Sequence, residues 1–254
     1  MLEESGMQYG GVGLGRSSLL IAAVAVFFNI TFSGYSQNLV QNGNFDAGGG
    51  SFENWQISHS ISQPSYSGPV IGTQGYNDPY YARFVYETQG QDTLSQEIST
   101  TPGAVYDISF WAEDGDGHNF SAEFNFGAYS ANLLNPFEIG PGQYYSGWKE
   151  FNFEVTATEL QTDLSFVAAA DMGSEFGVDN VTVVPVPDFD AIIVGTNIEV
   201  TVASPAYNTI VQASTNMVTW VNVYTNLAPF TFTNCILQFP HRFYRAAIAY
   251  QQIQ

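Results

Sequence analysis

From residue 38 to about residue 187, hydrophobic residues come in short runs rich in Val, Ile, Phe, Tyr and Thr, set apart by clusters of Gly, Pro, Asn and Asp. Little of the three-to-four spacing of a helix is present, and the pattern predicts an all-β chain folded as an antiparallel β-sandwich. In Val105 to Ala112, strand alternation puts Tyr106, Ile108, Phe110 and Ala112 on one face and Asp107, Ser109 and Trp111 on the other. In Trp148 to Val155 it sends Phe151, Phe153 and Val155 inward and Trp148, Glu150, Asn152 and Glu154 outward. Further strands are expected over Leu164 to Ala168 and Gly177 to Val184.

The pattern breaks at Pro185-Val186-Pro187-Asp188, because prolines two residues apart leave no ladder donors and favour an extended linker. Residues 185–190 therefore read as a boundary between a domain over 37–184 and a small β domain over 191–254. Five strands are expected there, over Ala191 to Val202, Thr209 to Ser214, Trp220 to Tyr224, Phe230 to Thr233 and Phe243 to Ala249.

Ahead of the first domain, Arg16 precedes the apolar run Leu19 to Phe28, and a small-residue stretch ends at Gly34-Tyr35-Ser36. This is the layout of a secretory signal peptide over residues 1–36, with a cut before Gln37, and it predicts a secreted or cell-surface protein. Glu3 and Glu4 sit oddly in a positive leader, so Met7 is a second candidate start and a retained anchor is the alternative.

Composition narrows the partners. The chain of 254 residues carries 24 acidic residues against 5 Lys and Arg, a net charge of −19. Nucleic acid and anionic lipid surfaces need clustered cations, so both are excluded, and no membrane contact is expected beyond the export signal. Divalent cations and neutral, hydroxyl-rich ligands remain compatible. The single cysteine, Cys235, makes no internal disulfide and reads as a small buried hydrophobe.

Asn38-Leu-Val-Gln-Asn-Gly-Asn-Phe-Asp46, then Trp55, Tyr106-Asp-Ile-Ser-Phe-Trp-Ala112 and Gly177-Val-Asp-Asn-Val-Thr-Val183 resemble the CenC-type jelly-roll carbohydrate-binding modules over roughly residues 38 to 184. The resemblance implies a jelly roll in which the acid after the first strand and the aspartate of the last strand share a structural calcium, here Asp46 and Asp179. The alternative for both is a solvated or turn-capping carboxylate. Ser214 to Trp220, Ala228 to Thr233 and Phe239 to Ala246 look like a short C-terminal β-module of secreted bacterial proteins.

Sugars are bound by stacking on aromatic rings and by side chains that satisfy hydroxyls. Trp111 and Trp148 are the first candidates, with Tyr80, Tyr81, Tyr144 and Tyr145 on flanking loops and Arg83, Glu113, Glu150 and Asn152 as polar partners; edge packing is the competing reading for each. Trp55 is expected in the core. The acidic stretch Glu113 to His118 reads as a turn rather than an EF-hand, since Asn125 stands where the terminal Glu is required. No G-x-S-x-G elbow, H-E-x-x-H helix or Walker loop occurs, so a non-enzymatic role is expected. The leading expectation is a secreted protein that binds a neutral polysaccharide or glycan. The alternatives are a surface structural protein and an accessory module of a glycoside hydrolase system.

Overall fold

The structure is a computed structural model that describes residues 23–26, 38–59, 68–85, 91–115, 120–140, 143–144, 146–170, 175–203, 207–238 and 241–249. Its strands are β1 (Ala23–Val26), β2 (Gln56–His59), β3 (Gly68–Thr73), β4 (Tyr80–Val85), β5 (Gln91–Ser99), β6 (Val105–Asp114), β7 (Phe120–Phe126), β8 (Tyr129–Asn132), β9 (Glu138–Gly140), β10 (Gln143–Tyr144), β11 (Gly147–Thr156), β12 (Gln161–Ala170) and β13 (Glu175–Pro185). After these come β14 (Phe189–Val194), β15 (Asn197–Val202), β16 (Asn208–Ser214), β17 (Val221–Leu227), β18 (Phe230–Cys235) and β19 (His241–Ile248). The described residues contain no α-helix, only three short 3-10 turns.

Two five-stranded antiparallel sheets, β11-β6-β13-β4-β3 and β2-β5-β12-β7-β8, form the jelly-roll sandwich. The alternation along β6 is complete: Tyr106, Ile108, Phe110 and Ala112 are buried, while Asp107, Ser109, Trp111 and Glu113 are half-buried on the other face. Phe110 centres the interior, with ring centroids 4.9 Å from Phe166, 5.1 Å from Phe124 and 5.4 Å from Phe151. Each buried side chain of this size stabilises the fold by about 1.5–3 kcal/mol through transfer from water. Trp55 joins this core beside Phe45 and Phe166, and its Nε1 donates to the Asn42 carbonyl at 3.0 Å.

The opening segment runs beside the last strand of the sandwich. Leu39 N donates to the Val183 carbonyl and Val181 N to the Gly43 carbonyl, beyond the point where β4 stops pairing with β13. A bulge in β13 between Asp179 and Thr182, with Asn180 at φ 52°, keeps Val181 in the core while Asp179 stays on the row of Trp111.

C-terminal to β13, a second hydrophobic cluster is built from Phe189, Ile198, Val200, Val202, Val211, Ala213, Ala228 and Tyr244. It lies with the sheets β14-β15-β18 and β1-β19-β16-β17. The single strand expected over Ala191 to Val202 is instead the hairpin β14-β15, turned at Gly195 with φ 65°. Gly195 and Thr196 form the two-residue reversal, a signal the apolar run concealed. Cys235, expected to be buried, is half-buried at the end of β18. Ala23–Val26, inside the expected leader, pair in parallel with the edge of β19.

Candidate functional site

The outer face of the β11-β6-β13-β4-β3 sheet gathers most of the residues singled out above, in three rows fixed by strand register. Trp148 stands opposite Glu113, which faces Gly177, which in turn faces Arg83. In the next row Glu150 faces Trp111 and Trp111 faces Asp179. In the third, Asn152 faces Ser109 and Ser109 faces Thr182. Strands about 4.8 Å apart place these side chains within the span of one or two sugar rings.

The aromatic part is larger than strand alternation predicts. Tyr76, from the loop between β3 and β4, lies flat on Trp111, with centroids 3.4 Å apart and planes 12° apart. Trp148 makes T-shaped contacts with Tyr76, at a centroid distance of 6.3 Å, and with Tyr81, at 5.3 Å. The half-exposed surface is therefore a corner, with Tyr76 and Trp111 on one side and Trp148 on the other.

Tyr80 and Tyr81, expected on loops, lie in β4, and Tyr81 is only 7% exposed. Its ring lies between glycines: a Cβ on Gly72 would come within 2.2 Å of Tyr81 Cε1, and one on Gly177 within 2.9 Å of Cε2. Burial, followed by the neighbouring Glu113 carboxylate, pushes the Tyr81 hydroxyl up to about 12, so it remains a proton donor held by Glu113. Tyr81 thus packs as a brace for Trp148 rather than as an open platform. The Arg83 guanidinium is paired with Glu175, with Nε donating to Oε2 at 3.0 Å. Glu113 belongs to β6 and not to a turn, since the strand continues to Asp114. Asn152 is exposed. Tyr144 lies in β10, and Tyr145, like the stretch from Asp116 to His118, falls outside the described residues.

Beside the aromatic corner is a group of carboxylates. Asp179, 0% exposed, accepts from Tyr76 N at 2.7 Å through Oδ2 and from Asn180 N at 2.7 Å through Oδ1. Burial above all, then the charges of Asp78 and Asp46, raises its pKa to about 7 against the opposing pull of those two N–H bonds. Asp78, on the Tyr76 loop, is pushed up by burial and by Asp46. Asp46 is held by Asn44, whose Nδ2 donates to its Oδ2 at 2.8 Å. Asp46 Oδ1 and Asp78 Oδ1 are buried without a hydrogen-bond partner.

Main-chain oxygens close in beside Asp179. A Cβ on Gly75 would lie 2.5 Å from the Tyr80 carbonyl oxygen, 2.7 Å from Asp179 Oδ2 and 2.9 Å from the Asp78 carbonyl oxygen. A buried carboxylate beside converging carbonyls, with the Asp46 and Asp78 carboxylates near enough for their charges to act on it, is a donor set of the kind that a hard cation takes. No three His, Cys, Asp or Glu side chains meet at one point among the described residues, so carbonyls have to supply part of any such shell. Asp78 and Tyr76 were missed in the sequence because their loop has no periodicity; the acid in Gly-Tyr-Asn-Asp-Pro, between two β runs, was the one available signal.

No protein-family sequence model and no curated protein matches the chain. Among solved structures, the chain resembles TmCBM61 in complex with β-1,4-galactotriose, at 18% identity and TM-score 0.43 over 58% of this chain and 98% of that one. It also resembles the CBM22-1 xylan-binding domain of Xyn10C from Paenibacillus barcinonensis, at 10% identity and TM-score 0.40 over 60% and 96% of the two chains. The enzymatically active domain of tailspike protein 4 from bacteriophage CBA120 gives 16% identity and TM-score 0.45 over 59% of this chain and 21% of that one. The similarity is one of fold, and the structures so found include carbohydrate-binding modules.

Proposed function

We propose that the chain is an exported, non-catalytic carbohydrate-binding protein of the CenC-like kind that receives a neutral glycan on the outer face of the β11-β6-β13-β4-β3 sheet. The observation that carries this reading is the half-exposed corner of Tyr76, Trp111 and Trp148, flanked by Glu113, Glu150 and Asn152. Aromatic faces meet the C–H faces of sugars, and the carboxylates and the amide accept or donate to hydroxyls. The acid excess of the chain, net −19, disfavours polyanionic glycans.

A structural calcium belongs to the same reading. Asp46 and Asp179 would hold it, with main-chain carbonyls completing the shell, and the ion would offset the repulsion among the carboxylates of Asp46, Asp78 and Asp179. Chelation is expected to lower the melting temperature by several degrees, as removal of a ligand bound only to the folded state does. An unchanged melt removes the calcium.

A glycan array probed with the full chain tests the main reading: binding to neutral polysaccharides, weakened by Trp148→Ala, is expected. A second reading, a surface structural protein, draws on the fact that the rings already satisfy one another, Tyr76 on Trp111 and Trp148 against Tyr81. Silence across the array selects it. Release of reducing sugar ends would overturn the non-catalytic assignment.

A further inference from the structure

The carboxylate group and the aromatic corner share one loop. Residues 74–79 join β3 to β4, closed at the base by Gln74 N donating to the Pro79 carbonyl at 3.0 Å. This loop carries Tyr76, whose ring covers Trp111, and two residues later Asp78, near enough to Asp46 for their charges to act on each other. Just before Tyr76, Gly75 passes so close to Asp179 Oδ2 that a side chain there would meet it at 2.7 Å. Tyr76 N is itself bonded to that oxygen, and Asp179 stands directly opposite Trp111 in the β13–β6 register.

We propose that Tyr76 is a positioning residue that couples cation occupancy at Asp46 and Asp179 to the shape of the aromatic face. Calcium seats the Tyr76 ring on Trp111, and its removal releases the ring. This inference rests on the calcium part of the proposed function and not on any glycan.

The direction follows from which part can yield. Asp179 lies in a central strand, paired on β6 and bound by two N–H groups. Asp46 follows Phe45, which is fully buried in the core, and is tied to Asn44. Asp78 sits on a loop outside any strand, held by the Gln74 N to Pro79 carbonyl bond, by Tyr76 N on Asp179 and by Asp78 on Asn44 and Tyr80, and it contains a strained residue, Gln74, at φ 88°. When no cation offsets the mutual repulsion of the three carboxylates, the loop is the element that moves, and it takes Tyr76 with it. Linkage makes the coupling reciprocal, so a seated ring also favours the ion.

The test uses the full chain and calcium alone. Near-ultraviolet circular dichroism is recorded before and after chelation for the wild type and for Tyr76→Leu, and calcium affinity is measured by calorimetry for both. The expected result is a Tyr76-dependent band that fades on chelation and recovers with calcium. A calcium affinity about fivefold or more weaker in Tyr76→Leu should accompany it. Calcium binding that raises the melting temperature but leaves the band unchanged, or an equal affinity in the variant, overturns the coupling. Absence of any calcium binding overturns it together with the calcium assignment. A silent glycan array, in contrast, sinks only the sugar reading and leaves this coupling standing.

Discussion

Trp148 is the residue on which the sugar reading turns, because its ring is half-buried and meets Tyr76 and Tyr81 in T-shaped contacts, whereas Trp111 is stacked on Tyr76. Trp148→Ala should weaken glycan binding by about 2 kcal/mol, roughly 30-fold in Kd, as removal of a central aromatic contact does. The melting temperature should move little, and affinity electrophoresis alongside a melt separates the two effects. Asp179 gives a prediction of different kind. Its folded pKa of about 7 stands above the ordinary 3.8, so without metal the folded state binds the proton more tightly than the unfolded chain does. The resulting stabilisation is complete below about pH 4 and disappears as pH rises to about 7. Asp78, Asp107 and Asp163 are shifted the same way, mainly by burial. Denaturation in chelator should therefore show stability falling across this window, with a shallower fall in Asp179→Asn. Calcium, which takes the ionised carboxylate, should reverse the trend. Alternation alone placed Trp111, Trp148, Glu150 and Asn152 on one outer face. It was silent on Tyr76 and Asp78, because a loop residue's direction comes from tertiary contacts and not from a period of two.

Among the elements, the bulged strand β13 and the segment beside it show best how local sequence sets geometry. Gly43 approaches β13 so closely that a Cβ would lie 2.1 Å from the Val181 carbonyl oxygen, while its own carbonyl accepts from Val181 N. Gly43→Ala must push the opening segment off the strand, and with it Asp46. A loss of about 2–4 kcal/mol in urea denaturation is expected, with calcium affinity reduced in parallel. A stability within a few tenths of a kcal/mol of the wild type would mean that the pairing is dispensable. The Asn-Gly in the opening run carried this information as part of a recognisable pattern, but its reason, a backbone contact 138 positions away in sequence, exists only once the sheet has formed. The strands β6 and β11 were legible almost to their ends because one face is dry and the other wet. The hairpin β14-β15 was not, because Ile192, Ile193 and Val194 are apolar yet exposed, which erases the contrast that marks a turn.

On the scale of the whole molecule, the two hydrophobic clusters share no residue, one running from Val40 to Val183 and the other from Phe189 to Tyr244. Contacts between the two regions include the bond from Val186 N to the Val105 carbonyl and the approach of Tyr207 to Tyr106, where burial and then Tyr106 push the Tyr207 hydroxyl up to about 12. Such contacts are small beside the aromatic packing around Phe110, so the two clusters should unfold as separate cooperative units. Phe110→Ala discriminates. Deleting a ring packed on Phe124, Phe151 and Phe166 should destabilise its own cluster by about 3–5 kcal/mol. That lowers its transition by roughly 10 °C in calorimetry, while the second transition stays in place. A single transition that shifts as a whole would instead make the chain one folding unit, and residues 185–190 would then be a connection inside it and not a boundary. Chelation adds an independent axis to the same experiment: an ion held by Asp46 and Asp179 belongs to the first cluster, so its removal should move only the transition that Phe110→Ala moves.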